Sequence, residues 1–475
     1  MSTVDAQTAP RETRPIMSAL GLTIVLVAAA VTMIDASIVN VALPSIQSTL
    51  HTDASVSQFV VSGYVIAYAI LLVLGGKLGD RYGRRRVLQI AVVAFTLTSL
   101  ACGLAPSINF LVGARILQGA SAAFLLPQAL STIQTSLHES AKTRAIGLYG
   151  AIGGLSAAAG QLLGGILVWA NIAGLEWRPI FLVNVPLGIL ALIGAQSQVP
   201  DTKAATKQST DLGGTILLGV TVLGLLIPLS VGRQVHWAAW CWALLAIAVI
   251  AGVALWRYER KLELQGRTPL ISPSLIQLRG VNRGLLVLAS GFLVFSGFSF
   301  AVPLALQDGN GMSALESGLS VAPLAVGAFL GSLRAPKVMA KFGMRTVQIG
   351  GAFLVVGLAL LIVAAQVWWP HVRFYELVIA MFIIGVGNGL FIPPVFRTIL
   401  SSLPPDQVGA GSGIMSTTQQ TSVAVGTAVL GQVFISFAAG GAMNLGFVTV
   451  TAAYLVVGVL LFLFGGAALR PKAGV

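Results

Sequence analysis

Hydrophobic residues run along the chain in long stretches separated by short polar or Gly/Pro-rich segments. A helix that crosses a bilayer needs about 20 mainly apolar residues, and fourteen stretches fit that requirement. The predicted spans cover residues 17–39, 56–76, 87–105, 110–130, 145–169, 179–198, 211–231, 238–256, 283–306, 313–333, 346–366, 375–398, 408–437 and 444–468. The pattern predicts an all-α polytopic membrane protein.

The longest polar connections, 200–210 and 257–282, bracket two of the predicted helices. A weak internal repeat relates the two parts of the chain, because Lys337, Gly343 and Arg345 align with Lys77, Gly83 and Arg85. Repeated six-helix halves are a transporter architecture, although two unrelated basic turns could also give three matches. The predicted organisation is a cytoplasmic tail (1–16), a six-helix bundle (17–198), linkers with a two-helix insertion (199–282), a second six-helix bundle (283–468) and a cytoplasmic tail (469–475).

Composition excludes a soluble globular protein. The 475 residues are 56% hydrophobic and 9% charged, against about 25% charged residues in soluble domains. A net charge of +13 could indicate nucleic-acid binding, but 24 of the 28 lysines and arginines fall in segments on one side if both termini are cytoplasmic. Positive residues accumulate on the cytoplasmic side of membrane proteins. We therefore expect the lipid bilayer, and not nucleic acid, to surround this chain.

Candidate enzyme chemistry is not visible. The two cysteines lie in apolar runs and the four histidines lack ligand spacing, so no disulfide, metal site or cofactor is predicted. The sequence contains no phosphate-binding loop, zinc-protease motif or serine nucleophile elbow. The sequence therefore offers no catalytic centre for a primary pump or a membrane enzyme. A sensor would need a larger soluble domain than the polar segments provide.

A glycine-punctuated basic stretch, 76–86, separates the second and third apolar runs. Cations at the bilayer centre cost about 2.5 to 3.5 kcal/mol each, so we predict a cytoplasmic loop here. It could act as a conformational latch, or it could serve only to set the orientation of the chain in the membrane. The predicted latch residues are Gly76, Gly79, Asp80, Arg81, Gly83 and Arg84.

Two charged residues lie inside predicted spans. Asp35 is the clearest carboxylate and Arg115 the only cation placed well inside a helix, with Gln118 one turn away. Intramembrane charges usually mark function because their burial is costly. Desolvation favours the neutral form of an acid, so Asp35 could exchange a proton and Arg115 could respond. The alternatives are a carboxylate satisfied near the interface and an arginine that extends outward.

Small residues dominate the fifth predicted helix, and amides occur in several others. Small residues permit close helix packing, so the helix could gate the transporter or simply pack well. The predicted gating residues are Gly147, Gly160, Gln161, Gly164 and Gly165. The residues predicted to line a substrate pathway are Asn40, Gln118, Asn388, Gln419 and Gln420.

These motifs together resemble the fourteen-helix drug:proton antiporters of the major facilitator superfamily. The 76–86 stretch is similar to the family's loop signature, 35–44 to its helix 1 signature, 111–119 to its helix 4 signature and 177–188 to a run typical of the fourteen-helix group. The helix 5 antiporter signature is imperfect, because Gln161 replaces its proline. That replacement puts the associated helix kink in doubt.

The resemblance implies a monomeric transporter in the bacterial cytoplasmic (inner) membrane. It would exchange protons for small amphipathic drugs or toxic compounds by alternating access, using Asp35 and Arg115 for proton coupling. The alternatives are a dedicated exporter of one metabolite or natural product and an uptake permease. The second half has no obvious midspan carboxylate, which favours neutral or monovalent substrates.

Overall fold

The computed structural model describes residues 17–137, 139–202, 211–232, 235–267, 269–403 and 408–468. Within these residues the chain forms helices and no strand. The long helices are α1 (Ala19–Leu50), α2 (Ala54–Tyr82), α3 (Arg84–Gly103), α4 (Ile108–Ser136), α5 (Glu139–Ala170), α6 (Pro179–Gln198), α7 (Leu212–Val231), α8 (Ala239–Leu264), α9 (Arg279–Leu304), α10 (Ala314–Phe342), α11 (Arg345–Trp368), α12 (Phe374–Ser401), α13 (Val408–Ala439) and α14 (Met443–Ala468).

The predicted fourteen-helix membrane fold is confirmed. Eleven of the long helices are apolar enough over at least 18 residues to cross a membrane. The other three, α2, α5 and α7, contain the shorter apolar stretches Val56–Leu72, Ala159–Ala170 and Gly213–Leu229. Helices suit lipid because each satisfies its own backbone hydrogen bonds. The predicted tails, 1–16 and 469–475, lie outside the described residues.

The predicted loop at 76–86 is wrong in its extent. Helix α2 continues through Tyr82 and α3 begins at Arg84, so Gly83 alone separates them. At a rise of about 1.5 Å per residue, α2 is longer than the roughly 30 Å hydrocarbon core. Its basic end can therefore remain helical beyond the lipid.

The predicted end of α1 at residue 39 is also too early, because the helix continues through Pro44 to Leu50. Proline removes one backbone hydrogen bond and usually marks a helix break. Within a helical bundle, neighbouring helices can cover the freed backbone group. By contrast, α6 starts at Pro179 as predicted, and its two helical segments meet at Val183.

Gly83 and Gly343 make matching turns in the two halves of the chain. Gly83 ends α2 with φ of 102°, and Gly343 ends α10 with φ of 57°. Residues with a side chain rarely adopt such positive φ values. The next helix starts at once after Gly83 and two residues after Gly343, so the sequence repeat coincides with a repeated turn.

The long helices form two six-helix halves, α1–α6 and α9–α14. The halves meet along two main seams, α5 against α10 and α2 against α13. Helices α7 and α8 pair with each other, and α7 also contacts α2 and α13 at the side of the bundle. We call the face that carries the Gly83 turn the basic face and the other membrane face the opposite face.

Hydrogen bonds join the two halves towards the opposite face. Gln58 Nε2, near the start of α2, donates to Thr427 O of α13 at 2.8 Å. Gln307 Nε2 donates to Val41 O of α1 at 3.0 Å. The first residue of α10, Ala314, packs on Gly165 near the end of α5. The halves are therefore closed on the opposite face.

Close backbone contact holds α10 against α12. A Cβ atom added at Gly385 would collide with the backbone of Leu324, and Gly389 likewise lies against the backbone of Ala328. Helix association in lipid depends on such small residues because lipid is as apolar as leucine and gives little hydrophobic driving force.

We predict that Gly385→Leu destabilises the protein by at least about 1 to 3 kcal/mol through overpacking. Gly113→Leu is the matched control, because no atom lies within 4 Å of a Cβ atom added there. Thermal unfolding of the detergent-purified variants measures both effects. Equal melting temperatures for the two variants would contradict the close α10–α12 contact.

Candidate functional site

Four side chains from three helices meet inside the N-terminal half. Helix α1 supplies Asp35, α4 supplies Arg115 and Gln118, and α6 supplies Asn184. Residues three apart on a helix project from the same face, which places Arg115 and Gln118 side by side. All four side chains are buried, and Asp35, Arg115 and Gln118 have no exposed surface.

The carboxylate of Asp35 is enclosed by donors. Arg115 Nη1 lies 2.6 Å from Asp35 Oδ2 in a direct ion pair. Asp35 Oδ1 accepts hydrogen bonds from Gln118 Nε2 at 3.0 Å and from Asn184 Nδ2 at 2.7 Å. Arg115 Nη1 also donates to Gln118 Oε1 at 2.8 Å, which closes a ring of three residues.

A second layer from α3 fixes the two amides. Asn184 Nδ2 also donates to Ser99 Oγ at 3.0 Å, and Ser99 Oγ donates to Phe181 O at 2.9 Å. Cys102 Sγ donates to Gln118 Oε1 at 3.4 Å. Such a network restrains the rotamers of the groups that contact Asp35.

Arg115 has an aromatic neighbour as well as an anionic one. Its Nε donates to Val60 O of α2 at 3.0 Å. The guanidinium carbon lies 4.2 Å from the ring centre of Tyr64, a cation–π distance, and 5.6 Å from that of Phe181. Nη2 is buried without a hydrogen-bond partner. Arg115 thus links α1, α2 and α4 while one of its nitrogens, Nη2, donates no hydrogen bond.

The stability of this ion pair depends on both residues keeping their charges. Removing one partner of a buried ion pair costs about 3 to 5 kcal/mol because the other charge is left uncompensated. A proton added to Asp35 would have the same consequence for Arg115. The arrangement can therefore convert a protonation event into a change of helix packing.

The other face of α1 packs on α5. A Cβ atom added at Gly164 would meet Ile38 O at 2.7 Å, and one added at Gly165 would meet Ala314 O of α10 at 2.6 Å. Gly160 contacts the same turn of α1, at Ile34 and Ser37. Helix α5 thus lies between the helix that carries Asp35 and the C-terminal half. Gly147 is also in α5.

The predicted pathway residues do not form one group. Gln118 belongs to the Asp35 network, whereas Asn388 accepts a hydrogen bond from Tyr454 in the C-terminal half. Asn40 is buried in α1, and Gln419 and Gln420 lie partly buried on α13. The structure therefore separates the predicted pathway residues between the two halves.

The predicted latch residues lie at the junction of α2 and α3. Gly79 packs against Gln128 of α4, Arg81 stacks on Tyr82 at 5.3 Å, and Arg84 Nη1 donates to Thr202 Oγ1 at 3.4 Å. Gly76 faces Pro127, also of α4. The side chain of Asp80 lies outside the described part of the structure.

Sequence reasoning missed four members of the network: Asn184, Ser99, Tyr64 and Cys102. Asn184 is the only polar side chain between Arg178 and Gly188, and an isolated amide in an apolar run is a usable signal. Ser99 and Tyr64 gave no such signal. Their contribution depends on the packing of α3 and α2 against α4, which helical periodicity alone does not specify.

A small cavity lies at the seam between the halves. It is lined by Gln161 of α5, by Phe295, Phe298, Ser299 and Val302 of α9, and by Val321 and Leu324 of α10. Among the predicted gating residues, Gln161 is the one that reaches this cavity.

Comparison with known proteins identifies relatives over most of the chain. The probable actinorhodin transporter of Streptomyces coelicolor is 32% identical over 418 residues, covering 88% of this chain and 72% of the relative. The multidrug resistance protein Stp of Mycobacterium tuberculosis is 30% identical over 408 residues, covering 85% and 73%.

Solved structures support the same fold. A POT family transporter in complex with 5-aminolevulinic acid aligns with a TM-score of 0.69 at 12% identity, covering 96% of this chain and 99% of that one. The family model described as Major Facilitator Superfamily matches residues 25–215 and 212–427. The paired six-helix halves and these matches lead to one conclusion: the chain belongs to the major facilitator superfamily.

Proposed function

We propose that this transporter exports small amphipathic compounds from the cytoplasm in exchange for protons. The observation that carries the proposal is the fully buried ion pair between Asp35 and Arg115, in which Arg115 Nη1 lies 2.6 Å from Asp35 Oδ2. Asp35 belongs to α1, and α1 packs directly on α5, the helix that also contacts the C-terminal half. The relatives, a probable actinorhodin transporter and a multidrug resistance protein, support export as the direction of transport.

The basic face is proposed to be cytoplasmic. Most lysines and arginines then lie inside with both termini, as the positive-inside rule requires. The opposite face, where Gln58 and Gln307 join the halves, is then the outer face. The described conformation is accordingly closed to the outside. The bacterial relatives favour the cytoplasmic (inner) membrane, and we propose a monomer as the working unit.

Protonation of Asp35 is the proposed coupling step. The proton removes the negative charge opposite Arg115, so the arginine must find other partners in a medium where an unpaired charge is costly. Because α1 contacts α5 at Gly160 and Gly164, a shift of α1 is transmitted to the contact of Gly165 with Ala314. A proton moves inward only if Asp35 gains it while the outer face is open and releases it to the cytoplasm after that face has closed, so protonation should favour closure of the outer face.

Asp35 has no solvent-exposed surface in this conformation. Proton exchange therefore requires a second conformation, in which water reaches the carboxylate. That requirement suits alternating access, since the proton is held while the halves move. One proton entering down a membrane potential of 100 mV supplies about 2.3 kcal/mol, enough for roughly fiftyfold accumulation of a neutral compound.

Two further roles belong to the proposal. The Gly83 turn and its basic neighbours act as a latch on the cytoplasmic face, and the small residues of α5 let that helix slide on α1 and α10. No catalytic step is assigned to the chain, and its partners are the exported compound, protons and lipid.

A dedicated exporter of one natural product is the second candidate. The probable actinorhodin transporter, named for a single compound, favours it. Expression in a drug-sensitive bacterium distinguishes the two functions: resistance to several unrelated amphipathic compounds indicates a multidrug exporter, and resistance to one chemical family indicates a dedicated one.

We expect Asp35→Asn to reduce substrate-triggered proton release from everted membrane vesicles to about a tenth of the native value or less, since the amide cannot carry the proton. The measurement uses a panel of cationic dyes, antiseptics and antibiotics with a pH-sensitive dye. Glu316→Gln, which removes an exposed acid near the start of α10, is the control and should release protons normally. Full release by Asp35→Asn at equal expression would remove Asp35 from the coupling mechanism.

Arg115→Gln should destabilise the protein by about 3 to 5 kcal/mol, because Asp35 then remains buried without its cation. The double variant Asp35→Asn/Arg115→Gln should regain most of that stability and still fail to couple protons. Thermal unfolding of the purified variants gives the stability, and the vesicle assay gives the coupling. Additive losses of stability in the double variant would mean that the two residues do not act as a pair.

A further inference from the structure

A groove runs between α9 and α14 on the surface of the C-terminal half. Its volume is about 200 Å³, and the residues that line it include Leu286, Val287 and Ser290 of α9 and Val457, Leu461 and Phe464 of α14. An apolar cavity of about 150 Å³ can hold a benzene molecule. The groove therefore has room for a hydrocarbon segment of at least that size.

The groove lies in the part of the membrane next to the basic face. Helix α9 begins at this face and α14 ends there, and Gly465 packs against Val347 near the start of α11. At about 1.5 Å per residue, Ser290 lies roughly 17 Å from the start of α9, and Val457 lies equally far from the end of α14. One leaflet contributes about 15 Å of hydrocarbon. The groove is therefore at the depth of the acyl chains of that leaflet.

The walls of the groove are apolar. Ser290 is the one polar residue among those that line it, and its hydroxyl already donates to Val287 O at 3.0 Å. Leu286, Leu460 and Phe464 are 65%, 50% and 59% exposed, so the protein itself leaves much of this surface uncovered. A polar occupant would lose hydration without gaining a partner here. Hydrocarbon is the occupant that fits the walls.

Two arginines continue the lining stripe of α9 towards the basic face. Arg283 precedes Val287 by four residues, and Arg279 precedes Arg283 by four. Residues at this spacing lie on one face of a helix, so both arginines lie in line with the groove, between it and the start of the helix. Both are exposed. The apolar groove therefore leads to two positive charges at the membrane surface.

Apolar walls below a pair of arginines match the two ends of a phospholipid. An acyl chain needs an apolar channel at the depth of one leaflet, and a phosphate group needs cations at the surface. Basic pockets between transmembrane helices bind anionic headgroups, and arginine donates charge-assisted hydrogen bonds to phosphate. A zwitterionic lipid carries its own cation beside the phosphate, so it would gain less from the arginines.

We propose that the groove between α9 and α14 is a binding site for an anionic phospholipid, with one acyl chain in the groove and the headgroup phosphate at Arg279 and Arg283. A lipid bound here contacts the first and the last helix of the C-terminal half, which pack against each other, and so stabilises their pairing. The site is separate from the Asp35 network. The inference goes beyond the proposed export function and does not depend on proton coupling.

The headgroup is tested with phosphatidylglycerol and phosphatidylcholine that carry identical acyl chains. Native mass spectrometry of the detergent-purified full-length protein gives the Kd of the first lipid bound. We expect phosphatidylglycerol to bind about twentyfold more tightly. Arg279→Gln/Arg283→Gln should reduce this preference to about twofold or less. Lys337→Gln/Lys341→Gln is the matched control, because it removes two exposed cations at the same spacing near the basic end of α10, and it should keep the preference.

The acyl chain is tested by filling the groove. Val457→Phe should weaken the binding of both lipids about tenfold, because the ring takes the place of the chain, and should leave the preference between them unchanged. Val456→Phe is the matched control, since Val456 is the adjacent residue, is 58% exposed and lies outside the groove lining. It should bind both lipids as the native protein does. Glycerol 3-phosphate, which has no acyl chain, should not displace the lipid.

Three results would overturn the site. They are equal binding of the two lipids by the native protein, an equal loss of preference in the arginine and lysine variants, and equal binding by Val457→Phe and Val456→Phe. Displacement of the lipid by glycerol 3-phosphate would show a phosphate site that does not use the groove. Should Val457→Phe fail to fold, the arginine variant still decides the matter, because it changes only exposed side chains.

Discussion

A buried ion pair in a membrane is the constraint on which the rest of this structure depends. Asp35 and Arg115 are both completely removed from solvent, and neither could remain charged in lipid without the other. Five of the six helices of the N-terminal half contribute to their environment. Helices α1 and α4 provide the charges, α6 and α3 provide Asn184 and Ser99, and α2 provides Tyr64. The half is thus assembled around a charge balance that one proton can disturb.

The location of the pair explains how a local event can have a global effect. Asp35 points into the N-terminal half, while the other face of α1 contacts the glycines of α5. Helix α5 in turn reaches α10 at Ala314 and lines the seam cavity with Gln161. A movement of α1 would therefore reach the C-terminal half through α5, which contacts both.

The sequence predicted the parts of this arrangement that depend on solvation. Apolar run lengths gave the fourteen helices, and Asp35 and Arg115 were identifiable because charges are rare inside such runs. Single residues whose effect depends on context were harder. The first helix was predicted to end at residue 39, but α1 continues through Pro44 to Leu50, and the basic end of α2 was predicted to be a loop although it is helical. The positions of charged residues predict which segments lie outside the lipid. They do not predict whether the backbone of those segments remains helical.

Contacts between helices were beyond the reach of sequence patterns. Tyr64 lies over Arg115 because α2 packs against α4, and Gln161 lines one cavity with Phe295 and Phe298 at the seam where α5 packs on α10. Nothing in the local sequence distinguishes Tyr64 from the other tyrosines of the chain. Gln161 was identified only as the residue in place of the signature proline, without any indication of its neighbours. Asn184 is intermediate, since its isolation among apolar residues marks it as unusual without indicating its partner.

The most direct test of the account is a distance measurement across the opposite face as Asp35 gains its proton. Spin labels at the exposed positions 172 and 375 report on the N-terminal and C-terminal halves, and both native cysteines are buried and so protected from labelling. Pulsed electron resonance at pH 8 and pH 5.5 should give shorter distances at low pH, because a proton that moves inward must favour closure of the outer face, and Asp35→Asn should give the shorter distances at both values. Distances in Asp35→Asn that still respond to pH as in the native chain would contradict the claim that protonation of Asp35 moves the halves.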